Sequence, residues 1–415
     1  MHVVLVAICY PPEVRSISIM LRELAEELVA RGHRVTVLAP WPRYHLSADA
    51  RARHFEPVME ENGVRVIRIR TLPAHGIAYV LRGIAHLDLP RRYLRAYREH
   101  VRERVDAVIS YISPLPLALV GQAIAREHGR HHLLNVQDIF PQNAIDLGIM
   151  RNRALIAYFE RMERQVYAAA DAIATHTPGG REFLIARKGV SPEKVAVIPN
   201  WIDAEAWDRA QPTGAFRARY GLAGEFVILF AGILGPAQDI PFTLEVAARI
   251  RDIPDITFLL IGDGTERARA VAWAEARGLS NVHFAPFVDP VQYPSLVKEM
   301  DVGLLTLGMG NRTATMPGKL WGYMAAGIPV LAFLNRECDA HRIIREARCG
   351  YSALSEDPDR AAALVRKLYA ERAQLPTLGH AGRTYAAVHY GKQSCIDQLE
   401  RLLIREPAAR VRATV

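Results

Sequence analysis

Hydrophobic and polar positions follow the same order twice along this chain. An apolar run at residues 3–8 precedes a loop, an amphipathic helical pattern over 17–30 that ends at Gly32, and a second apolar run at 34–39. Residues 226–231 lead in the same way, through a loop and a helical pattern over 241–250, to a run at 256–261. Two strands that start about 30 residues apart, with a helix between them, are typical of a βαβ unit. The repeat predicts an α/β chain with two Rossmann-like domains and parallel sheets.

Further short apolar runs and one polar segment complete this domain map. The chain has 415 residues, 50% of them hydrophobic, which is too long for one ordinary core. We expect an N-terminal domain over 1–203, a linker over 204–224, a C-terminal domain over 225–390, a helix over 391–405 that returns toward the N-terminal domain, and a disordered tail over 406–415. Two facing domains would hold a ligand in a cleft at the carboxyl ends of their strands. The additional strand candidates are residues 64–69, 105–111, 131–136, 172–176, 195–199, 282–284, 302–306 and 328–332.

The formal net charge of +8 is concentrated in one segment. Residues 65–104 contain ten arginines and three acidic residues, and apolar side chains alternate with the arginines. A basic, partly amphipathic stretch of this kind can lie on an anionic membrane, and we expect four arginines to face it: Arg91, Arg92, Arg95 and Arg98. An ordinary solvated surface helix remains the alternative. Nucleic acid is not an expected partner, because no recognisable binding motif accompanies the charge.

Cysteine usage and the apolar runs limit the class of protein further. The four cysteines are far apart and show no Cys-x-x-Cys spacing, so we expect neither a zinc site nor a disulfide framework. No cofactor is expected. Met1 leads almost directly into the first apolar run, and no apolar run approaches the roughly 18 residues of a membrane span. We therefore expect a cytoplasmic protein, with at most peripheral contact with the inner face of the plasma membrane.

The segment that indicates the chemistry best is residues 316–330, Met-Pro-Gly-Lys-Leu-Trp-Gly-Tyr-Met-Ala-Ala-Gly-Ile-Pro-Val. It predicts a loop, a short helix and a buried strand, with Pro317 suited to a first helical position. The free N–H groups and positive dipole end of such a helix attract phosphate, and Lys319 adds a full charge. A buried helix with an incidental lysine is the alternative for this segment alone.

Glycines follow other predicted strands of the second half. Gly232 and Gly235 come after the run at 226–231, Gly264 follows the run at 256–261, and Val288 follows the short run at 282–284. The carboxyl ends of parallel strands share one edge of a sheet, so these loops should converge on the Lys319 segment. A single G-x-x-G motif is weak evidence for a phosphate-binding loop, because the motif more often marks only a tight turn.

Taken together, several segments resemble retaining glycosyltransferases of family 4, which have the GT-B fold, over nearly the whole chain. The matching segments are residues 10–13, 24–37, 197–203, 261–264, 301–304 and 317–330. Residues 137–141 and 146–148 further resemble the branch that includes N-acetyl-L-fucosamine transferases, which act on lipid-linked sugars in bacterial surface-polysaccharide assembly.

The resemblance implies a nucleotide-sugar donor, a UDP-sugar, held mainly by the C-terminal domain, and an acceptor glycan, of the polyprenyl-linked kind, held by the N-terminal domain. It implies front-face attack without a protein nucleophile or a metal. Lys319, Arg312 and backbone N–H groups would stabilise the leaving diphosphate. Asp138 would orient or deprotonate an acceptor hydroxyl, with a loop carboxylate as the alternative. The implied donor site comprises Gly232, Gly235, Gly264, Val288, Arg312, Lys319 and Leu320.

The chain departs from the family pattern at several positions. Gly322 and Ala314 stand where many members carry glutamates, of which the first binds the ribose hydroxyls. Arg15 and Ser16 occupy a loop that usually carries adjacent glycines beside the donor phosphates, and Gln137 replaces a frequent histidine. These losses keep two alternatives open, a degenerate member that binds without turnover and a GT-B UDP-sugar epimerase. An NAD-dependent oxidoreductase is disfavoured, because no G-x-G-x-x-G follows the first strand of either half.

Overall fold

The computed structural model describes residues 1–13, 15–44, 46, 48–74 and 76–404. These residues divide into two compact units. The first unit contains residues 1–145, 150–199 and the described residues from Gln393, and the second contains Asp146–Ile149 and Asn200–Lys392. The predicted tail at 406–415, and residue 405 of the predicted terminal helix, lie outside the described residues.

The first unit is built on a sheet in the order β3-β4-β2-β1-β5-β6-β7-β8, in which neighbouring strands are parallel except the antiparallel pair β3 and β4. Every residue of β1, β5 and β6 is buried, as expected for parallel strands that helices cover on both faces. The strands are β1 (His2–Val6), β2 (Arg34–Pro40), β3 (Val58–Glu61), β4 (Val64–Ile69), β5 (Ala107–Tyr111), β6 (His131–Val136), β7 (Ala172–Thr175) and β8 (Val195–Val197).

The second unit has a parallel sheet in the order β11-β10-β9-β12-β13-β14. Its strands are β9 (Phe226–Ala231), β10 (Ile256–Ile261), β11 (Val282–Ala285), β12 (Val302–Thr306), β13 (Val330–Leu334) and β14 (Gly350–Leu354). Buried side chains on both faces of this sheet form two hydrophobic clusters. Two units with such sheets confirm the predicted α/β class with Rossmann-like domains.

Helices connect the strands in both units. In the first part of the chain they are α1 (Ser16–Ala30), α2 (Ala48–Ala52), α3 (Tyr79–His100), α4 (Leu117–His128), α5 (Gln142–Asp146), α6 (Arg153–Ala169) and α7 (Pro178–Lys188). After β8 they are α8 (Ala204–Arg209), α9 (Ala215–Tyr220), α10 (Ile240–Arg249), α11 (Arg267–Ala276), α12 (Tyr293–Lys298), α13 (Lys319–Ala326), α14 (Ala340–Ala347), α15 (Pro358–Ala370), α16 (Leu375–His389) and α17 (Lys392–Ile404).

Two segments between and after the predicted domains have defined places in the fold. The predicted linker contains α8 and α9, which belong to the second unit. From Gln393 onward, α17 belongs to the first unit, where Glu400 accepts hydrogen bonds from Arg31 at 2.7 Å and from His33 at 2.7 Å. These charged contacts join α17 to the C-terminal end of α1 and the residues that follow it.

Candidate functional site

Four loops of the second unit lie at the carboxyl edge of its sheet, after β9, β10, β11 and β12. Backbone hydrogen bonds join three of them. The Leu234 N–H donates to the Asp263 carbonyl at 2.9 Å, and the Gly308 N–H donates to the Ala237 carbonyl at 2.9 Å. The loop after β9 is therefore held on both sides, by the loop after β10 and by the loop after β12.

Close backbone approach explains why two positions at this edge are glycine. A Cβ atom at Gly262 would lie 1.8 Å from the Gly232 carbonyl oxygen, and one at Gly264 would lie 2.3 Å from the Leu234 carbonyl oxygen. Either contact is far shorter than van der Waals distance, so no side chain fits. Gly235 is less constrained, because its Cβ would lie 3.2 Å from Gln238 Oε1.

The Lys319 side chain packs against Gly232, in the glycine-containing loop that follows β9. A Cβ atom at Gly232 would meet Lys319 Cε at 2.3 Å, and Lys319 Nζ lies 4.5 Å from the centre of the Phe230 ring. No acidic residue in the described part of the chain forms an ion pair with Lys319. The residue is partly exposed, but protein atoms surround its ammonium group, and this burial lowers the pKa of Lys319 to about 8.

The helix α13 begins at Lys319, two residues after Pro317. The prediction that Pro317 occupies the first helical position was therefore wrong. The Leu320 N–H donates to the Pro317 carbonyl at 3.0 Å, which places Pro317 in a turn that leads into the helix. The Leu320 side chain is fully buried in the core, and Val288 packs, half-buried, against the same core. Leu320 therefore contributes packing rather than an exposed group.

Arg312 lies on the loop between β12 and α13, and its side chain is exposed. Among the described residues, no acid pairs with it. Arg312 and Lys319 therefore bring two positive charges that no described carboxylate neutralises, on one loop and on the helix that follows it.

At Gly322, where the family pattern has a glutamate, an aromatic side chain occupies the adjacent space. A Cβ atom at Gly322 would lie 3.3 Å from Trp207 Cη2 and 3.5 Å from the Tyr293 hydroxyl oxygen. The Trp207 and Tyr293 rings pack edge to face, with centroids 5.9 Å apart. A glutamate at position 322 would have to displace Trp207, a residue of α8 within the predicted linker.

In the first unit, the predicted acceptor-side residues follow strands β1 and β6, which β5 separates in the sheet. Arg15 precedes α1 without capping it through its side chain, and Ser16 is exposed. Gln137 donates to Asn135 Oδ1 at 2.6 Å, and the exposed Asp138 accepts a hydrogen bond from Ser113 Oγ at 3.3 Å. Ser113 follows β5, the strand between β1 and β6, and sequence reasoning had not singled it out.

Of the four arginines predicted to face a membrane, all on α3, two form ion pairs with acidic residues and two do not in the described structure. Arg92 forms an ion pair with Asp88, and Arg98 forms one with Glu127 of α4. Arg91 and Arg95 are exposed, and no ion pair involving either is found in the described structure. The N-terminal half of the same helix exposes three apolar side chains, Leu81 (55%), Ile84 (54%) and Leu87 (40%).

None of the described helices combines the length and the hydropathy that crossing a bilayer requires. Within the described residues, no group of three or more His, Cys, Asp or Glu side chains is arranged to hold a metal ion.

Two family models together match most of the chain. One, described as "Glycosyl transferase 4-like domain", matches residues 17–201, and the other, "Glycosyl transferases group 1", matches residues 214–385. WcaI of Escherichia coli strain K12, whose name refers to colanic acid biosynthesis and glycosyl transfer, is 26% identical over 343 residues, which cover 79% of this chain and 82% of WcaI. WbjE of Pseudomonas aeruginosa, also named as a glycosyltransferase, is 25% identical over 300 residues, 71% of this chain and 73% of WbjE.

Solved structures resemble this chain over nearly its full length. Sucrose-phosphate synthase of Thermosynechococcus elongatus superposes with a TM-score of 0.77 at 18% identity, covering 97% of this chain and 98% of that one. HepE of Anabaena, solved with UDP-glucose, gives a TM-score of 0.70 at 16% identity, covering 97% and 99%. At these identities the likeness shows the fold alone.

Proposed function

Because this chain is a family 4 glycosyltransferase with the GT-B fold, we propose that it transfers a sugar from a UDP-sugar to an acceptor glycan with retention of anomeric configuration. The observation that carries the proposal is the environment of Lys319. This cation begins α13, contacts the glycine-containing loop after β9, and has no acid partner among the described residues. A diphosphate is the chemical group that such a site would neutralise.

The proposed chemistry needs charge stabilisation more than it needs a protein nucleophile. The acceptor hydroxyl oxygen forms a bond to the anomeric carbon while the bond from that carbon to the diphosphate oxygen breaks, and the hydroxyl proton passes to the departing diphosphate. Lys319, Arg312 and the first N–H groups of α13 would stabilise the negative charge that develops on that oxygen. Loss of one such group costs about 3 kcal/mol of transition-state stabilisation in other enzymes.

The names and bound ligands of similar proteins support a UDP-sugar donor and a role in polysaccharide biosynthesis. HepE was solved with UDP-glucose, and a trehalose-6-phosphate protein of Escherichia coli with a TM-score of 0.73 was solved with UDP-2-fluoro glucose. WcaI is named for the biosynthesis of colanic acid, and WaaG, another structural neighbour, is described as a glycosyltransferase involved in lipopolysaccharide biosynthesis. We infer a UDP-sugar donor and a role in surface-polysaccharide biosynthesis.

A lipid-linked acceptor would bring the first unit to the inner face of the plasma membrane. The exposed Leu81, Ile84 and Leu87, together with Arg91 and Arg95, which form no ion pair with any described residue, give α3 apolar and cationic groups suited to an anionic bilayer surface. Asp138, exposed after β6, is the carboxylate that would orient the acceptor hydroxyl.

Binding and turnover test the donor assignment separately. We expect titration calorimetry to show binding of UDP in preference to GDP and ADP, and weaker binding of uridine, which lacks the diphosphate. Incubation of UDP-sugars with an undecaprenyl-diphosphate-linked sugar should then give a product whose new linkage, followed by proton NMR, keeps the donor's anomeric configuration. Absence of UDP binding contradicts the proposal. UDP binding without turnover favours a degenerate member, and conversion of the UDP-sugar without acceptor favours an epimerase.

The membrane assignment has its own test with a matched control. The double variant Arg91→Gln/Arg95→Gln should bind vesicles that contain anionic phosphatidylglycerol more weakly, by about 1 kcal/mol for each arginine. Arg187→Gln/Arg251→Gln removes the same charge from exposed residues elsewhere, and we expect it to bind nearly as the wild type does. Equal losses in the two double variants would show that net charge, rather than the surface of α3, governs binding.

A further inference from the structure

Asn311 is a buried side chain beside the exposed Arg312. Only 5% of its surface is exposed, and its Nδ2 donates to the Ala237 carbonyl at 3.1 Å and to the Gly308 carbonyl at 2.9 Å. Because the two acceptors lie in different loops, the loop after β9 and the loop after β12, the amide of Asn311 joins them. Burial keeps water from replacing these hydrogen bonds.

Two further hydrogen bonds join the loop after β9 to the last residue of β12 and to the loop that follows it. The Gly308 N–H also donates to the Ala237 carbonyl, at 2.9 Å, and Thr306 Oγ1 donates to the Gln238 carbonyl at 2.8 Å. The carbonyl groups of two consecutive residues in the loop after β9 thus accept the hydrogen bonds that hold the start of the loop after β12. Arg312, the residue next to Asn311, extends from this anchored segment.

We propose that Asn311 is a positioning residue that sets Arg312 toward the donor diphosphate by tying the loop after β12 to the loop after β9. This inference rests on the proposed function, which assigns the diphosphate to this edge of the sheet. The Arg312 side chain has no ion pair with any described residue, so its position depends on the backbone that carries it. The Asn311 amide holds that backbone, and the hydrogen bond from the Thr306 hydroxyl to the loop after β9 adds support.

Affinities for UDP and uridine, measured by titration calorimetry, test the inference. Asn311→Ala should weaken UDP binding about tenfold, which corresponds to about 1.4 kcal/mol, and should leave uridine binding nearly unchanged, because Arg312 acts on the diphosphate. In an Arg312→Ala background, the Asn311→Ala substitution should cause little additional loss of UDP affinity. Thr306→Val, which removes one hydroxyl donor at nearly constant volume, should show a smaller loss of the same kind.

Asn281 provides the matched control. It is also buried, with 7% exposed, and its Nδ2 donates to the Ala247 carbonyl at 2.9 Å, but it precedes β11 at the opposite edge of the same sheet. Asn281→Ala should lower the melting temperature without changing UDP affinity.

Four outcomes would count against the inference or its premise. Equal losses of UDP and uridine affinity in Asn311→Ala, or an undiminished effect of Asn311→Ala without Arg312, would overturn the positioning role. Unchanged UDP affinity in Asn311→Ala would overturn it while leaving the proposed function intact. A wild-type protein that binds no UDP would remove the proposed function itself.

Discussion

The carboxyl edges of the two sheets are built differently. In the second unit, hydrogen bonds between loops, glycines in close contact and a desolvated lysine form a site whose groups are held in place. In the first unit, two of the predicted acceptor-side residues, Ser16 and Asp138, are exposed, and Asp138 accepts a hydrogen bond from Ser113 at 3.3 Å. The Lys319 site is thus held by burial and backbone contacts, whereas Ser16 and Asp138 present their side chains to solvent.

This difference suits the two substrates that we propose. A diphosphate is the same in every UDP-sugar, so loops held by hydrogen bonds can bind it without adjustment, and groups placed before reaction need no reorganisation. The acceptor differs among glycosyltransferases, and exposed side chains can differ without disturbing the core.

Replacing Lys319 should have the largest effect. Lys319→Ala removes a charge that we place on the leaving diphosphate, so we expect kcat/KM to fall about 10²–10³-fold with little change in melting temperature. Steady-state kinetics would measure this loss. Lys298→Ala is the control, because Lys298 lies in the same unit and, among the described residues, donates to the Ala210 carbonyl at 2.8 Å, away from the site. A Lys319→Ala enzyme with more than a tenth of wild-type activity would contradict the role that we assign to Lys319.

A methyl group at Gly232 should reproduce part of that loss. Because the added Cβ would lie 2.3 Å from Lys319 Cε, Gly232→Ala must displace the lysine side chain. We expect a tenfold to hundredfold loss of kcat/KM, consistent with the partial loss of one charged contact. Gly310→Ala is the comparison, since a Cβ there meets no atom within 4 Å. Similar activity of the two variants would show that the contact with Lys319 is not required.

The pH dependence should identify Lys319 as a titrating group. Burial lowers the pKa of Lys319 to about 8, so the lysine of the free enzyme loses its positive charge as the pH rises through that value. We therefore expect kcat/KM, which reports the free enzyme, to fall above about pH 8. In Lys319→Arg, whose guanidinium stays protonated, the alkaline limb should disappear or move upward. Identical alkaline limbs in both enzymes would assign the titration to another group.

The smallest effect concerns the core of the first unit. Burial lowers the pKa of His132 to about 4, and its Nε2 lies 3.0 Å from Ser110 Oγ. The unfolded chain, with a histidine pKa of about 6.5, binds more protons than the folded state between these values, so stability should fall as the pH drops from about 6.5 to about 4. Of the stability that urea unfolding shows to be lost between pH 7 and pH 5, His132 should account for ~2 kcal/mol.

His132→Gln tests whether this residue causes that loss. The variant should lose less stability than the wild type between pH 7 and pH 5, because glutamine does not titrate. The remaining pH dependence would come from other groups, including His86, whose pKa burial also lowers to about 4. An unchanged pH dependence in His132→Gln would assign the whole effect to those groups.

Much of the fold could be predicted because buried parallel strands appear as apolar runs. The runs at 226–231 and 256–261 are β9 and β10, with the predicted bounds. The antiparallel edge strand β3 was missed, because its residues are only partly buried and form no such run. The strand predicted at 328–332 begins at Val330 in the structure, and it was shifted because Ile328 is apolar although it lies in the preceding turn.

Local sequence pattern was enough to predict the alternation of most strands and helices, the glycines at the strand ends, and a lysine near the start of the helix that is α13. These features depend on local pattern, which neighbouring residues carry. Tertiary structure alone decided that Gly232 faces Lys319, that Trp207 occupies the space beside Gly322, and that Asn311 joins two loops. It also decided the pKa of Lys319. Each of these depends on groups far apart in sequence, whose contact and shared exclusion of water arise only when the chain is folded.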